Sequence, residues 1–362
     1  MMKFRFNFLP VFLRLMIISG LILFLFNSIS TKQATAQKSP PLVGLVPDGP
    51  IDDQGFNQMA YEGLMRADSE NLIEGNVYLP AGNEYSDYAL AISQCVSAGN
   101  SLCIAVGFMM GDPLLWAAIN HPGTAFAIVD MTWDESTYPA NLRGMHFSVD
   151  EAAYLAGTLA GLMTETNKIG IVAGMDIPPV NDFVIPYLYG AQWAAPEVYV
   201  MVNYANDFSN EAIGADLADF QMGRGADIIF GVGGQMGNGA IKQACSHGVY
   251  CIGVDVDTYY TAFQGGTVSG ADLLLTSVIK RVDNAVYDTI VAHVNGTFTP
   301  GTFTYNTENG GVGLAPYHDT EPDIPSEVIA QLNNVAAGIA DGSVNVWQPF
   351  YTNFIYLPAL LR

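Results

Sequence analysis

Residues 227–255 read DIIFGVGGQMGNGAIKQACSHGVYCIGVD and contain the clearest indication of the fold class. Asp227–Val232 and Tyr250–Asp255 are apolar runs of strand length, and Asn238–His247 between them has the length of a helix. An apolar strand, a short helix and a second apolar strand predict a parallel βαβ unit whose sheet is covered on both faces.

The same alternation runs along the chain from residue 42 and predicts an α/β fold. Nine strands are too many for one ordinary core, so we expect two doubly wound lobes, each built on a parallel sheet. Ligands of such sheets bind beyond the carboxyl ends of the strands, which predicts a ligand cleft between the lobes. The candidate strands are Leu42–Val46, Asn76–Leu79, Leu102–Phe108, Ala125–Asp130, Leu142–Phe147, Ile169–Ala173, Tyr199–Tyr204, Asp227–Val232 and Tyr250–Asp255.

The alternation restarts after Phe147, which predicts a first lobe over residues 37–147 and a second lobe over 148–264. Ser269–Val294 reads as one long helix. Because chain remains after a complete second lobe, we expect it to cross back through a hinge. Residues from about 265 to 300 would return to the first lobe and residues from about 301 to 350 to the second, leaving 351–362 as a C-terminal tail.

The amino terminus has the pattern of a secretory signal. Basic residues precede the apolar run Leu15–Phe26, and the small-residue sequence Ala34-Thr35-Ala36 follows. This pattern predicts a signal peptide over residues 1–36, with an uncleaved apolar anchor as the alternative. No cysteine lies near the signal, so we expect an exported protein, periplasmic or at the cell surface, that is not a Cys-anchored lipoprotein.

The charge balance excludes several functions. The chain has 13 Lys and Arg against 35 Asp and Glu, a net charge of −22. A protein this acidic has no basic face to replace the counterions of a nucleic acid and no attraction to anionic lipid.

Motif searches argue against an enzyme. The five histidines are scattered, and no nucleophile-elbow, zinc-protease or P-loop motif is present, so we expect no metal and no cofactor. Asp48, Asp52 and Asp53 leave a calcium-dependent nucleoside hydrolase as the enzyme alternative, although no general acid accompanies them.

The four cysteines form two local pairs. Cys95 and Cys245 each end an apparent helix, and Cys103 and Cys251 each begin the following apparent strand. A short helix-to-strand loop brings two Cα atoms within disulfide range. We therefore predict two disulfides, Cys95–Cys103 and Cys245–Cys251, with four buried free thiols as the alternative.

Acidic, amide and aromatic side chains follow the predicted strands, where a ligand would bind. Each residue alone fits a helix cap or a packing ring, and the prediction depends on the set. Together they suit a neutral polar molecule with a flat ring and several hydroxyl groups. They are Asp48, Phe56 and Asn57 after the first strand, Asp130 after the fourth, Phe183 after the sixth, Gly234 after the eighth and Asp255 after the ninth.

The chain resembles the basic membrane protein family, the PnrA-like substrate-binding proteins of ABC transporters. Residues 51–58, followed by Glu62-Gly63, are similar to the D-D-x-S-F-N-Q…E-G opening of that family, and the match continues in order over roughly residues 42–345. The further matching segments are Phe126–Asp130, Tyr154–Gly157, Gly233–Gly237, Ile252–Asp257 and Lys280–Asp283.

The resemblance implies a type I periplasmic-binding fold that captures a purine nucleoside of the adenosine, guanosine or inosine class. The partners would be an ABC permease and its ATPase. By the resemblance, Phe56 and Phe183 would sandwich the base, and Asp48 and Asn57 would face its polar edge. Asp130, Asp255, Lys280 and the backbone of Gly234 would hold the ribose hydroxyls.

We expect a monomeric binding protein rather than an enzyme. A sugar- or signal-binding protein of the same fold, and a surface adhesin or antigen without a transport role, are the alternatives.

Overall fold

A computed structural model describes residues 39–349, so the predicted signal peptide and C-terminal tail lie outside the described residues. The first lobe contains a sheet of six parallel strands in the order β11-β5-β4-β3-β1-β2. Its strands are β1 (Leu42–Pro47), β2 (Glu74–Val77), β3 (Leu102–Val106), β4 (Ala125–Val129), β5 (Leu142–Phe147) and β11 (Gly301–Tyr305). Its helices are α1 (Phe56–Ser69), α2 (Tyr85–Ser97), α3 (Gly111–Asn120) and α8 (Val282–Val294).

The second lobe repeats this architecture with the order β12-β10-β9-β8-β6-β7, and β12 runs antiparallel to β10. Its strands are β6 (Lys168–Ala173), β7 (Tyr199–Tyr204), β8 (Ile228–Val232), β9 (Tyr250–Asp255), β10 (Leu274–Lys280) and β12 (Val312–Leu314). Its helices are α4 (Val149–Met163), α5 (Pro178–Ala194), α6 (Glu211–Met222), α7 (Gly234–Ser246) and α9 (Ser326–Ala340).

The central strands explain why the sequence predicts parallel sheets. Every residue of β3 and β8 is buried, because helices cover both faces of each sheet. The α/β class with two doubly wound lobes is confirmed, and all nine predicted strands are present. None of the helices described over residues 39–349 is long and apolar enough to span a bilayer.

The predicted long helix over Ser269–Val294 is wrong. Its first half contains β10, and its second half is α8. The run Leu274–Lys280 mixes apolar and polar residues without a clear period, so length and pattern do not separate a buried strand from a helical turn. Two short strands, β11 and β12, were also absent from the prediction because their Gly- and Thr-rich sequence reads as loop.

The strand pairing corrects the predicted returns of the chain. β10 pairs with β9, so residues 274–280 belong to the second lobe, whereas the predicted boundary near residue 265 assigned them to the first. β11 pairs with β5, so residues 301–305 belong to the first lobe, whereas the prediction assigned 301–350 to the second. Hydrogen bonds between neighbouring strands of each sheet decide these assignments, and the order of the segments along the chain does not reveal those bonds.

The chain crosses between the lobes three times, at residues 147–149, 280–282 and 305–312, which we call the crossing segments. Backbone hydrogen bonds join them. The Ser148 amide donates to the Tyr305 carbonyl at 2.8 Å, and the Arg281 amide donates to the Gly311 carbonyl at 2.8 Å. Movement of one lobe against the other must therefore deform three adjacent segments.

Both predicted cysteine pairs are brought together. The Cα atoms lie 6.3 Å apart in Cys95 and Cys103 and 5.9 Å apart in Cys245 and Cys251, with each pair of sulfur atoms at bonding distance. Each pair joins a helix end to the strand that follows it.

Thiol titration tests whether these pairs are oxidised in the protein. We expect no reactive thiol in the unfolded, unreduced chain and four after reduction. Because each bridge closes a loop of fewer than ten residues, reduction should cost about 2–3 kcal/mol of stability per bridge. Four thiols that react without reductant would contradict the prediction.

Candidate ligand-binding site

A cavity of about 590 Å³ lies at the carboxyl ends of the strands, with walls from both lobes. The loops that follow β1, β2, β3 and β4 form one wall, and those that follow β6, β7, β8 and β9 form the other. All eight residues predicted for the ligand site line this cavity: Asp48, Phe56, Asn57, Asp130, Phe183, Gly234, Asp255 and Lys280.

Asp53 fixes the loop between β1 and α1. Its carboxylate accepts hydrogen bonds from the backbone amides of Gly55, Asn57 and Gln58 at 3.0, 2.9 and 3.0 Å. Asp53 therefore satisfies amides at the start of α1, as a helix cap does. This capping holds Phe56 and Asn57 at the cavity wall. It also occupies both carboxylate oxygens of Asp53, which a calcium-dependent nucleoside hydrolase would need to bind its metal.

Asn57 has a carbonyl oxygen available to a ligand. The side-chain amide nitrogen donates to Asp53 at 3.1 Å, and its Oδ1 is buried without a hydrogen-bond partner. A carboxylate accepts hydrogen bonds, so the NH₂ group must face Asp53 and the oxygen must face elsewhere. A buried acceptor of this kind favours a ligand that supplies an N–H or O–H donor.

Asp48 lies beside Asn57, and its carboxyl group is held away from bulk water. Burial raises the pKa of Asp48 to about 7, the charges of Asp53 and Asp130 add to the rise, and a hydrogen bond from Asn57 opposes it. Gly107 makes this position possible, because a Cβ there would lie 2.3 Å from Asp48 Oδ2. Asp48 is therefore poised between its neutral and charged forms near neutral pH.

Two aspartates occupy matching positions in the lobes. Asp130 follows β4 and Asp255 ends β9, the fourth strand of each lobe, and both have left-handed backbone with φ of 68° and 66°. Non-glycine residues rarely adopt this conformation, and strain of this kind clusters at functional sites. Burial raises the pKa of Asp255 to about 7, against the lowering effect of the Lys280 charge.

Lys280 lies at the base of the cavity and connects the two lobes. The prediction assigned it to a helix, but it is the last residue of strand β10 in the second lobe. Its side chain is 3% exposed, and its ammonium group pairs with Asp130 of the first lobe. Among the described residues that line the cavity, Lys280 carries the single positive charge.

Aromatic rings from both lobes surround this ammonium group. Lys280 Nζ lies 4.8 Å from the ring centroid of Phe56 in the first lobe and 5.8 Å from that of Phe183 in the second. Phe56 is half-buried, whereas Phe183 is 4% exposed and belongs to the hydrophobic core as well as to the cavity wall. Loss of the Phe183 ring should therefore cost stability as well as ligand contact, because that ring also packs in the core.

Several cavity residues were absent from the sequence prediction. Leu79–Asn83 follow β2, and Asn206–Ser209 follow β7, including the ring of Phe208. Phe208 packs closely on the second lobe, since a Cβ at Gly174 would lie 2.1 Å from its Cε1 atom. The rule that identified the other loops, inspection of the residues after each strand, would have identified these two as well.

A family model described as "ABC transporter substrate-binding protein PnrA-like" matches residues 41–346. The chain belongs to this family. Its members are substrate-binding transport proteins rather than enzymes. Within residues 39–349, moreover, no three His, Cys, Asp or Glu side chains are grouped as metal ligands.

Relatives and a solved structure agree with this assignment. The "CD4+ T-cell-stimulating antigen" of Listeria monocytogenes is 33% identical over 92% of this chain and 96% of its own. The "ABC transporter nucleoside-binding protein BmpA" of Lactococcus lactis is 32% identical over 82% and 86%. A crystal structure of an ABC transporter solute-binding protein from Aeropyrum pernix matches with a TM-score of 0.75 and 25% identity, over 84% of this chain and 93% of that one. The type I periplasmic-binding fold implied by the family resemblance is confirmed.

The raised carboxyl pKa values predict a pH-dependent stability. Asp48 and Asp255 titrate near 3.8 when unfolded and near 7 when folded, so folding favours their protonated forms. Their contribution to the free energy of unfolding is present below about pH 4 and is lost as the pH rises through 7.

Denaturant unfolding of the ligand-free protein between pH 5 and 8 measures this loss. We expect Asp48→Asn to remove part of the decline, on the order of 1 kcal/mol or more per carboxyl group. Asp216→Asn, which removes an exposed carboxylate from α6, should keep the wild-type slope. An Asp48→Asn slope equal to that of the wild type would show that Asp48 is charged in the folded protein.

Proposed function

We propose that this protein captures a purine nucleoside in the cavity between its lobes and delivers it to an ABC importer. The observation that carries the proposal is the pair of phenylalanines, one from each lobe, on opposite walls of a cavity that also holds Asp130, Asp255 and Lys280. The nucleoside-binding name of the Lactococcus lactis relative supports the same ligand class.

The aromatic residues account for the base. A purine has two apolar faces and a polar edge, and it binds best where rings stack on it and amide or carboxyl groups meet the edge. Phe56 and Phe183 would stack on the base. Asn57 Oδ1, which lacks a partner, would accept from an N–H group on the edge, and a neutral Asp48 would donate to a ring nitrogen.

The charged residues account for the ribose. Vicinal hydroxyl groups donate well to carboxylates, and Asp130 and Asp255 supply carboxyl groups from the two lobes. Lys280 would donate to a ribose oxygen, and the backbone at Gly234 would complete the contacts at the start of α7. Since each lobe contributes to both halves of the ligand, binding would favour a closed arrangement through hinge motion.

The charge of the cavity sets an expected selectivity. Asp48, Asp53, Asp130 and Asp255 line it, and Lys280 is already paired with Asp130. A phosphate group would meet carboxylates without a free cation, and the desolvation of its charge would be uncompensated. Calorimetry should therefore rank nucleosides above the corresponding nucleoside monophosphates, and above free ribose, which lacks the base. Equal affinity for ribose would favour the sugar-binding alternative.

Variants of the two rings test the stacking. Phe56→Ala should weaken nucleoside binding by about 5- to 150-fold, which corresponds to roughly 1–3 kcal/mol of stacking. Phe183→Leu keeps an apolar side chain in the core while it removes the flat ring, so it should weaken binding and, because that ring is buried, also lower the melting temperature.

Phe126→Leu is the matched control. Phe126 is fully buried in β4 and does not line the cavity, so this change should lower the melting temperature and leave the affinity unchanged. Wild-type affinity in both cavity variants would show that these rings do not contact the ligand.

The family membership supports a role in import by an ABC transporter, and a role in import implies a location outside the cytoplasm. Substrate-binding proteins of ABC importers work outside the cytoplasm, which agrees with the signal-like sequence at the amino terminus. We propose that the closed, loaded protein docks on a permease that is driven by an ATPase.

A further inference from the structure

A second cavity, of about 520 Å³, lies in the first lobe against the crossing segments. Its walls come from β5, α8, β11 and the loop that leads to β12. Most of the side chains that line it are polar, and they include Asn284, Thr299, Thr304 and Asn309. The proposed nucleoside site does not use this cavity.

Arg143 of β5 lines the cavity and is 3% exposed. Among residues 39–349, no carboxylate lies within ion-pair distance of its guanidinium group. The more exposed Arg66 and Arg281, by contrast, pair with Glu70 and Asp283. Buried charges in proteins are normally paired, so Arg143 is a cation without its usual partner.

The hydrogen bonds of Arg143 leave part of the group unused. Nε donates to the Thr299 carbonyl at 3.1 Å, and Nη2 reaches the Thr299 hydroxyl at 3.5 Å. A guanidinium has five N–H donors, so three remain. Burial lowers the pKa of Arg143, but a guanidinium stays charged at neutral pH.

Two rings hold the guanidinium in place. Its Cζ atom lies 3.8 Å from the ring centroid of Phe303 and 4.5 Å from that of Phe298. Rings that cover the guanidinium stabilise the cation through their faces. The N–H donors lie in the plane of the group, so they remain available at its edge for an acceptor in the cavity.

We propose that this cavity binds a small oxyanion, a phosphate or carboxylate group, through a two-point contact with the free edge of Arg143. Two parallel N–H···O bonds from one guanidinium match the geometry of a carboxylate or phosphate. Asn284 supplies a further side-chain donor on the cavity wall, and Asn309, whose side-chain amide already donates to the Thr304 carbonyl at 2.9 Å, keeps one N–H. Because Asn309–Gly311 belong to a crossing segment, a bound oxyanion would contact the part of the chain that bends when the lobes close.

Asp288 also lines the cavity and is the one wall residue, among those described, that opposes an anion. Burial raises the pKa of Asp288, and the charge of Arg66 counteracts the rise. Asp288 does not pair with Arg143, so the guanidinium remains free to bind an external anion.

Calorimetry with inorganic phosphate and with succinate, each in chloride buffer of constant ionic strength, tests the proposal. We expect one equivalent of phosphate or succinate to bind saturably to the wild-type protein, and the anion that binds identifies the source. Arg143→Gln should weaken this binding tenfold or more. Arg224→Gln should not, although it removes the same charge from a similar ring contact, because Arg224 lies over Phe220 at the exposed surface of the other lobe.

A second variant keeps Arg143 and its bond to Thr299. Ala292 is a half-buried residue of α8 that lines the cavity, so Ala292→Phe should fill the space, abolish oxyanion binding and leave the melting temperature in chloride unchanged. The proposal is overturned if neither phosphate nor succinate binds to the wild-type protein. It is also overturned if Arg143→Gln binds the anion as tightly as the wild type does. Nucleoside affinity is measured separately in chloride, so failure of this site and failure of the nucleoside site give different results.

Discussion

The ammonium group of Lys280, buried between the lobes, is the constraint on which the cleft depends. A charge removed from water is tolerated when a partner of opposite charge is close, and here the partner, Asp130, belongs to the other lobe. Loss of one member of such a pair typically costs about 3–5 kcal/mol, because the other charge stays buried. The pair therefore links the two lobes at the base of the cavity and leaves the remaining carboxyl groups with little cationic compensation.

The raised pKa values of Asp48 and Asp255 follow chiefly from burial. Both carboxyl groups are removed from water, and the charges of Asp53 and Asp130 add to the rise of both pKa values. A neutral carboxyl group donates one hydrogen bond and accepts others, so the same side chain serves a ligand that has both donors and acceptors. The chemistry of the cavity thus suits an uncharged molecule with many polar groups.

The two lobes build the site by the same backbone geometry. A left-handed aspartate lies at the carboxyl end of the fourth strand of each lobe, and glycines with φ of 119° and 138°, Gly107 and Gly233, follow the third. Each left-handed aspartate stores about 1–3 kcal/mol of strain, which the buried surroundings must hold. Repetition of this strain at matching positions indicates that the carboxyl groups are directed into the cavity by the fold itself.

The sequence predicts much of this site because parallel strands end at one edge of a sheet. Apolar runs such as Ile169–Ala173 identify buried strands, and residues just after them must meet in the cleft. The partners of β10 and β11, which are β9 in the second lobe and β5 in the first, were not predictable from the sequence. Each pairing depends on hydrogen bonds between segments that are distant in the chain. The dual role of Phe183, in core and cavity, likewise requires the packed structure.

Arg143 shows the same limit. A lone arginine in a strand carries no signal in the sequence, and its unpaired charge becomes visible when its burial and its neighbours are known. Sequence patterns therefore predict which residues share an edge of a sheet, and the fold determines which charges remain without a partner.

Native mass spectrometry of the protein purified without added ligand shows which molecule the cleft holds. A cleft that binds purine nucleosides should retain one, seen as a single added mass that is released on unfolding and identified by fragmentation as a purine attached to ribose. Release of a sugar without a base, or of a phosphorylated compound, would contradict the account.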